Sequence, residues 1–220
     1  MQQVKTILLS KSVFEDNDAA AELLRSELRE KKVCLVNVMS SPGSGKTTLL
    51  VALINALKQS YNIGVMEADI DSDKDAVTVA EKTGVRSIQL HTGGMCHLDA
   101  GMTRQGLEEL GDGLDLIFLE NVGNLVCPAE YDTGATLNMV ILSVPEGNDK
   151  PLKYPLVFEN SSIAVITKTD ALPYFDFNMD ECRECIRARN PDASVIAVSA
   201  KTGDNMGELI DRFIRILSER

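Results

Sequence analysis

Residues 40–48 read S-S-P-G-S-G-K-T-T, between an apolar run at 33–39 and the apolar stretch L-L-V-A-L-I. A strand that turns through a glycine-rich loop into a helix is the setting of the phosphate loop G-x-x-x-x-G-K-[ST]. The chain fits this pattern with one departure, Ser40 at the first glycine position. Gly43 and Gly45 let the backbone curl so that successive N–H groups face phosphate oxygens, and the helix N-terminus adds its positive end. Gly43, Ser44, Gly45, Lys46, Thr47 and Thr48 are thus the expected phosphate-binding set. Lys46 is placed to bridge the β- and γ-phosphates, and the Thr47 hydroxyl to ligate Mg²⁺.

The rest of the chain repeats the same alternation. Short apolar runs at 33–39, 63–67, 87–90, 114–119, 138–144, 163–167 and 194–198 read as strands. Helical spacing falls at 47–59, 73–82, 98–109, 179–188 and 205–219. Near-continuous apolar strands joined by helices predict an α/β, doubly wound, mostly parallel seven-stranded sheet with helices on both faces. Such sheets bind ligands beyond the carboxyl ends of their strands. A helix at 18–32, D-A-A-A-E-L-L-R-S-E-L-R-E-K-K, precedes this pattern. The expected organisation is therefore a lead-in segment with a helix over 1–32, packed on a P-loop domain over 33–220.

Two tetrapeptides choose the base. The run at 163–167 ends in T-K-T-D, which fits the guanine-reading N-K-x-D except that Thr167 replaces the asparagine. The Asp170 carboxylate can accept from the N1–H and the exocyclic amine of guanine, donors that adenine lacks there. The Lys168 stem can lie along the base, and Ser199-Ala200-Lys201 follows the next apolar run as a second base-contacting loop. Two acidic strand ends remain. Glu120-Asn121-Val122-Gly123 matches the D/E-x-x-G switch: Glu120 would hold Mg²⁺ through water, and the Gly123 N–H would meet the γ-phosphate. In E-A-D-I-D-S-D-K-D, Asp69 is the candidate for orienting the attacking water or a Mg²⁺-bound water; Asp73 and Asp75 read as solvated loop and helix cap.

The formal charge of -11 argues against nucleic-acid binding, because no basic stripe neutralises phosphates. Residues 1–10 lack the pattern of a signal peptide, and no apolar run approaches a membrane span, so a cytoplasmic protein is expected. Five cysteines in a reducing compartment are thiols rather than a disulfide framework. Cys34 reads as core. Cys182 and Cys185 have metal spacing but fall on a helix with no second pair nearby, and packing against the sheet is the expectation. Cys96 and His97 are adjacent just before a helix, and Cys127 lies four residues beyond the switch glycine Gly123. Thiolate and imidazole suit zinc or nickel. A cysteine on the γ-phosphate-sensing loop would tie metal to nucleotide.

At C-H-L-D-A, E-N-V-G-N-L-V-C-P-A and E-G-N-D-K-P-L-K-Y-P the chain resembles the HypB family of GTPases, which help insert nickel into nickel–iron hydrogenases. The resemblance covers nearly all of 32–216 and implies a SIMIBI-class GTPase that dimerises on binding GTP and holds metal at the subunit interface. By position, the nickel or zinc ligands would be Cys96, His97 and Cys127, and the magnesium ligands Thr47, Asp69 and Glu120. The implied partners are a second copy, other hydrogenase maturation proteins and the hydrogenase large subunit. Lys150 and Lys153 read either as contacts to the partner's edge or as solvated loop charge. No cysteine or histidine occurs in 1–31, so a metal-storage role has no support there. The alternatives are a related GTPase loading urease or a cobalamin enzyme, a metal-binding scaffold without turnover, and an ATP-using phosphotransferase.

Overall fold

The computed structural model describes residues 4–9, 17–69 and 74–220. The first half contains strands β1 (Lys5–Leu8), β2 (Cys34–Ser40), β3 (Ile63–Asp69), β4 (Arg86–His91) and β5 (Leu116–Glu120). Between them run helices α1 (Asn17–Glu30), α2 (Lys46–Leu57), α3 (Lys74–Thr83) and α4 (Ala100–Leu110). A single-turn α5 (Cys127–Glu130) leads to β6 (Leu137–Ser143), followed by short helices α6 (Lys150–Lys153) and α7 (Pro155–Glu159). The chain closes with β7 (Ile163–Thr167), α8 (Met179–Arg189), β8 (Ser194–Ala197) and α9 (Met206–Ser218).

One sheet holds all these strands, in the order β1-β4-β3-β5-β2-β6-β7-β8. Every pairing is parallel. Among the described residues the count is eight rather than the expected seven. The extra strand, β1, comes from the lead-in segment and extends the edge beside β4, with Leu9 N–H donating to the His91 carbonyl at 3.0 Å. Its sequence K-T-I-L is half polar and mostly exposed, as an edge allows, so it carries no buried-strand signature.

Successive side chains of β2 alternate between the two faces of the sheet. Cys34, Val36 and Val38 pack beneath α2, α3 and α9, where Phe118 meets Phe213 edge to face at 5.6 Å. On the other face Leu35 belongs to the cluster under α1 and α4, and Met39 to the cluster under α7 and α8. Between those clusters lies Asn37, whose amide donates to Asn138 Oδ1 at 3.1 Å and accepts from Asn121 Nδ2 at 3.0 Å. The polar seam is internally satisfied, which burial requires. Cys34 and Cys182 are core residues; burial pushes the Cys182 thiol up to about 12, so it is an apolar filler on α8.

Helix α1 docks on α4 through Leu24 and Leu28, with Arg104 bonding Glu27 at 2.8 Å and Arg25 bonding Asp132 at 2.6 Å. Gly134 permits that approach. Its φ is +74°, and a Cβ there would lie 2.8 Å from Leu24 Cδ2 and 3.1 Å from the Ala21 carbonyl. Among the described residues no helix is long and apolar enough to cross a membrane.

Candidate functional site

The phosphate loop forms where β2, the central strand, ends. Gly43 (φ +76°) and Gly45 (φ +93°) take the left-handed backbone that favours glycine, and α2 begins at Lys46. Ser40 belongs to β2 and has no positive φ, so a side chain is accommodated. Its hydroxyl accepts from Ser44 Oγ at 2.6 Å and donates to the Ser41 carbonyl at 2.9 Å, closing the neck of the loop.

A cleft of ≈ 580 Å³ opens above this loop, lined by Lys46, Thr47, Asp69, Asp75, Glu120 and Gly123 among others. The Lys46 ammonium is 3.7 Å from Glu120 Oε1, and both side chains are nearly buried. Thr47 Oγ1 donates to Asp75 Oδ1 at 3.0 Å. The expectation that Asp75 merely caps a helix is corrected: it stands in the first turn of α3 but faces the phosphate loop, because α3 packs on α2. Asp71 and Asp73, and with them the expected start of that helix, lie outside the described residues.

A second carboxylate joins the cleft from below. β3 continues to Asp69, two residues past its expected end, which makes Glu67 an interior strand residue. Glu67 is the register partner of Glu120 on β5 and of Gln89 on β4, so three polar side chains form a row across three strands. All three are buried, and Glu67 Oε1 and Glu120 Oε2 have no hydrogen-bond partner. Burial, then the Glu120 charge, hold the Glu67 carboxyl well above the usual range; burial likewise raises Glu120, against the pull of Lys46. Two crowded carboxylates with orphaned oxygens are a donor set that suits a hard divalent cation. Mg²⁺ therefore fits here, with Thr47, Asp69 and Glu120 of the expected set and Asp75 beside them as oxygen donors and Glu67 behind them. Asp69 lines the same cleft at the end of β3, beside His91 in register.

The base end is a neighbouring hollow of ≈ 380 Å³ lined by Thr167, Lys168, Asp170, Ser199, Ala200 and Lys201, together with Gly45 and Thr48. Thr167 Oγ1 donates to the Ser44 carbonyl at 2.6 Å, so the residue in the asparagine position ties the base loop to the phosphate loop. Lys168 adopts a left-handed φ of 59° and its ammonium donates to the Gly43 carbonyl at 2.6 Å. Ser199 Oγ donates to Asp170 Oδ1 at 2.7 Å, fixing the carboxylate and leaving acceptor capacity for a ligand.

The sulfur residues meet beside the switch turn. Cys96 lies in the turn that precedes α4, and Cys127 opens α5; their Sγ atoms are 2.7 Å apart. His97 Nδ1 is 3.9 Å from Cys96 Sγ, and its ring stacks on Tyr131 with centroids 3.6 Å apart. Burial lowers the His97 pKa, which keeps a ring lone pair available. The neighbouring Cys96, then burial, push the Cys127 thiol up. Two thiols this close resist joint ionisation unless a cation sits between them, and a soft divalent ion would relieve that. Among the described residues no group of three or more His, Cys, Asp or Glu converges as a finished ligand set. The chain brings the two sulfurs together and turns the His97 ring onto Tyr131. Of the two lysines read either as edge contacts or as solvated loop charge, Lys153 pairs with Asp149 at 2.5 Å and Lys150 lies 5.3 Å above the Tyr154 ring.

A family model described as CobW/HypB/UreG, nucleotide-binding domain, matches residues 34–197. The hydrogenase maturation factor HypB of Azotobacter chroococcum mcd 1 is 43% identical over 94% of this chain and 68% of its own length. The chain belongs to the HypB family. The crystal structure of the HypB hydrogenase maturation factor of Archaeoglobus fulgidus superposes with a TM-score of 0.85 at 35% identity, covering 93% of this chain and all of that one. HypB of Helicobacter pylori, solved in complex with nickel, superposes with a TM-score of 0.86 at 36% identity over 92% of this chain and 95% of that one. In this HypB-family chain Glu67, Gln89 and Asp75 are the polar residues of the cleft that motif reading passes over. The available signal for Glu67 was an acid following the apolar run I-G-V-M and preceding Ala68 and Asp69 on the same strand, I-G-V-M-E-A-D.

Proposed function

We propose that this chain is a metal-binding GTPase that couples GTP binding and hydrolysis to homodimerisation and to nickel delivery in nickel–iron hydrogenase maturation. The observation that carries the reading is the position of the thiol pair. Cys127 follows Gly123 by four residues, and Gly123 packs on the phosphate loop, where an added Cβ would lie 3.4 Å from Pro42 Cγ. A turn that responds to the γ-phosphate thus moves one of two sulfurs that touch. The names of the relatives, hydrogenase maturation factors, and the nickel complex of the Helicobacter pylori protein support the choice of cargo and pathway.

In this reading Asp170, held by Ser199, selects guanine, and Lys168 lines the base. The N–H groups of Gly43–Thr48 and the Lys46 ammonium hold the phosphates, Asp69 orients the attacking water, and Gly123 senses the γ-phosphate. Thr47, Asp75 and Glu120 would hold Mg²⁺, which would supply charge neutralisation at the phosphate oxygens. Slow turnover is the expectation, in keeping with a cleft lining that holds no arginine among the described residues. Nickel or zinc is cargo on Cys96, Cys127 and, after rotation off Tyr131, His97. A second copy brings another set, and the metal then lies between subunits in the cytoplasm. Of the lead-in over 1–32, β1 (Lys5–Leu8) and α1 (Asn17–Glu30) serve the GTPase domain as packed elements.

The test joins three measurements. GTP is hydrolysed in preference to ATP; Lys46→Ala loses turnover with an unchanged circular-dichroism spectrum; and sedimentation mass doubles with a non-hydrolysable GTP analogue but not with GDP. Equal use of ATP, unchanged turnover in the variant, or one mass in both states each removes a part of the reading.

A further inference from the structure

One side chain joins the phosphate-sensing turn to both sulfur-bearing segments. Asn124 follows Gly123 directly, and its own N–H donates to the Val122 carbonyl at 2.8 Å, which tightens the turn. Its carboxamide then bonds in two directions. Nδ2 donates to the Cys96 carbonyl at 2.8 Å, across 28 residues of chain. Oδ1 accepts from the N–H groups of Val126 at 3.0 Å and Cys127 at 2.9 Å. The far end of the Cys96 turn is closed separately, by Thr92 Oγ1 donating to the Met95 carbonyl at 2.7 Å.

The chemistry of that link is specific. A carboxamide carries a donor and an acceptor in one planar group; aspartate offers only acceptors, and alanine neither. Asn124 can therefore hold a carbonyl on one side and two N–H groups on the other. The segments it holds are those whose Sγ atoms lie 2.7 Å apart. A peptide rotation at Gly123, which carries no side chain to resist it, swings Asn124 with it.

We propose that Asn124 is the positioning residue that transmits the state of the phosphate-sensing turn to the metal-binding thiols, by holding the Cys96 turn and the Cys127 segment as one unit. The proposal rests on the nucleotide–metal coupling proposed above and names the side chain that carries it. With the carboxamide bonds made, the two sulfurs face one another as a pair. When the turn shifts, the Cys96 carbonyl and the Cys127 N–H can no longer both be met, and the pair separates.

The experiment uses the full chain, wild type, Asn124→Ala and Asn124→Asp. Two quantities are read: the Ni²⁺ dissociation constant with GDP and with a non-hydrolysable GTP analogue, and, without metal, the rate at which dibromobimane cross-links Cys96 to Cys127. The wild type should show an affinity ratio between states of about tenfold, within the usual range of coupling between sites. Both variants should keep GTP affinity within about twofold of wild type, since Asn124 is outside the phosphate and base sets, while the ratio falls to near one and cross-linking slows. Asn124→Asp keeps the cap on Cys127 and removes only the bond to Cys96, so it reads the link even where Asn124→Ala folds poorly. A wild-type ratio retained in both variants overturns the Asn124 role and leaves the coupling standing. A wild type with equal affinities in both states overturns the coupling itself, and the Asn124 role with it.

Discussion

Glu67 illustrates how much a single buried acid can govern. Its carboxyl lies beside Glu120 with one oxygen unpartnered, and burial followed by the Glu120 charge raises its pKa far above the usual value. Without Mg²⁺ the native protein therefore holds a proton that the unfolded chain has already released. Between the unfolded value and the raised native one, folding binds protons, so stability falls as pH rises. Glu67→Gln removes that dependence. In EDTA and without nucleotide, the variant should melt roughly 2–4 °C above wild type near pH 8, about 1 kcal/mol for a chain of this size. The difference should shrink as pH falls and vanish only below the unfolded carboxyl value of 4.5, where both states hold the proton and the protonated acid and the amide are alike. A gap that is constant with pH would sink the argument. Lys46, Thr47, Asp170 and Ser199 were legible as residues because their chemistry is written in contiguous motifs. Glu67 and Asp75 were not, because what places them is strand register and the packing of α3 on α2, neither of which local spacing encodes.

Elements divide along a similar line. The central parallel strands were plain in the sequence, since burial on both faces demands unbroken apolar runs. β1 was not: an edge strand of four residues gains its structure from pairing with β4 and shows no period of its own. The short helices α5, α6 and α7 were equally invisible, each being four or five residues long and begun by or next to a proline. Helix α1 was legible as a helix, but its seat was not. That seat depends on Gly134, where a methyl group would meet both Leu24 and the Ala21 carbonyl on a backbone with φ of +74°. Gly134→Ala combines backbone strain with displacement of the helix, and should cost about 2 kcal/mol, a drop of roughly 4–8 °C in Tm. Hydrogen exchange should rise in Asn17–Glu30 more than in α2. An unchanged Tm would mean that α1 adjusts its seat freely.

Across the whole molecule, β2 stands inside the sheet with β6, β7 and β8 on one side and β5, β3, β4 and β1 on the other. Thr167, Lys168, Asp170 and Ser199 lie at or beyond the ends of β7 and β8, whereas Glu67, Glu120, Gly123, Cys96 and Cys127 belong to β3, β4, β5 and the loops after them. In the proposed function the molecule asks two separate questions of its ligand, which base it carries and how many phosphates, and only the second has an answer written in sulfur. Such an arrangement can be re-addressed without being rewired. Asp170→Asn should trade guanine for xanthine, because the amide donates where the carboxylate accepted. Supplied with a non-hydrolysable XTP analogue or XDP, that variant should reproduce the wild-type difference in Ni²⁺ affinity between triphosphate and diphosphate states. A variant that binds XTP yet shows no such difference would reveal that the base and the metal converse directly, across the strand that separates them.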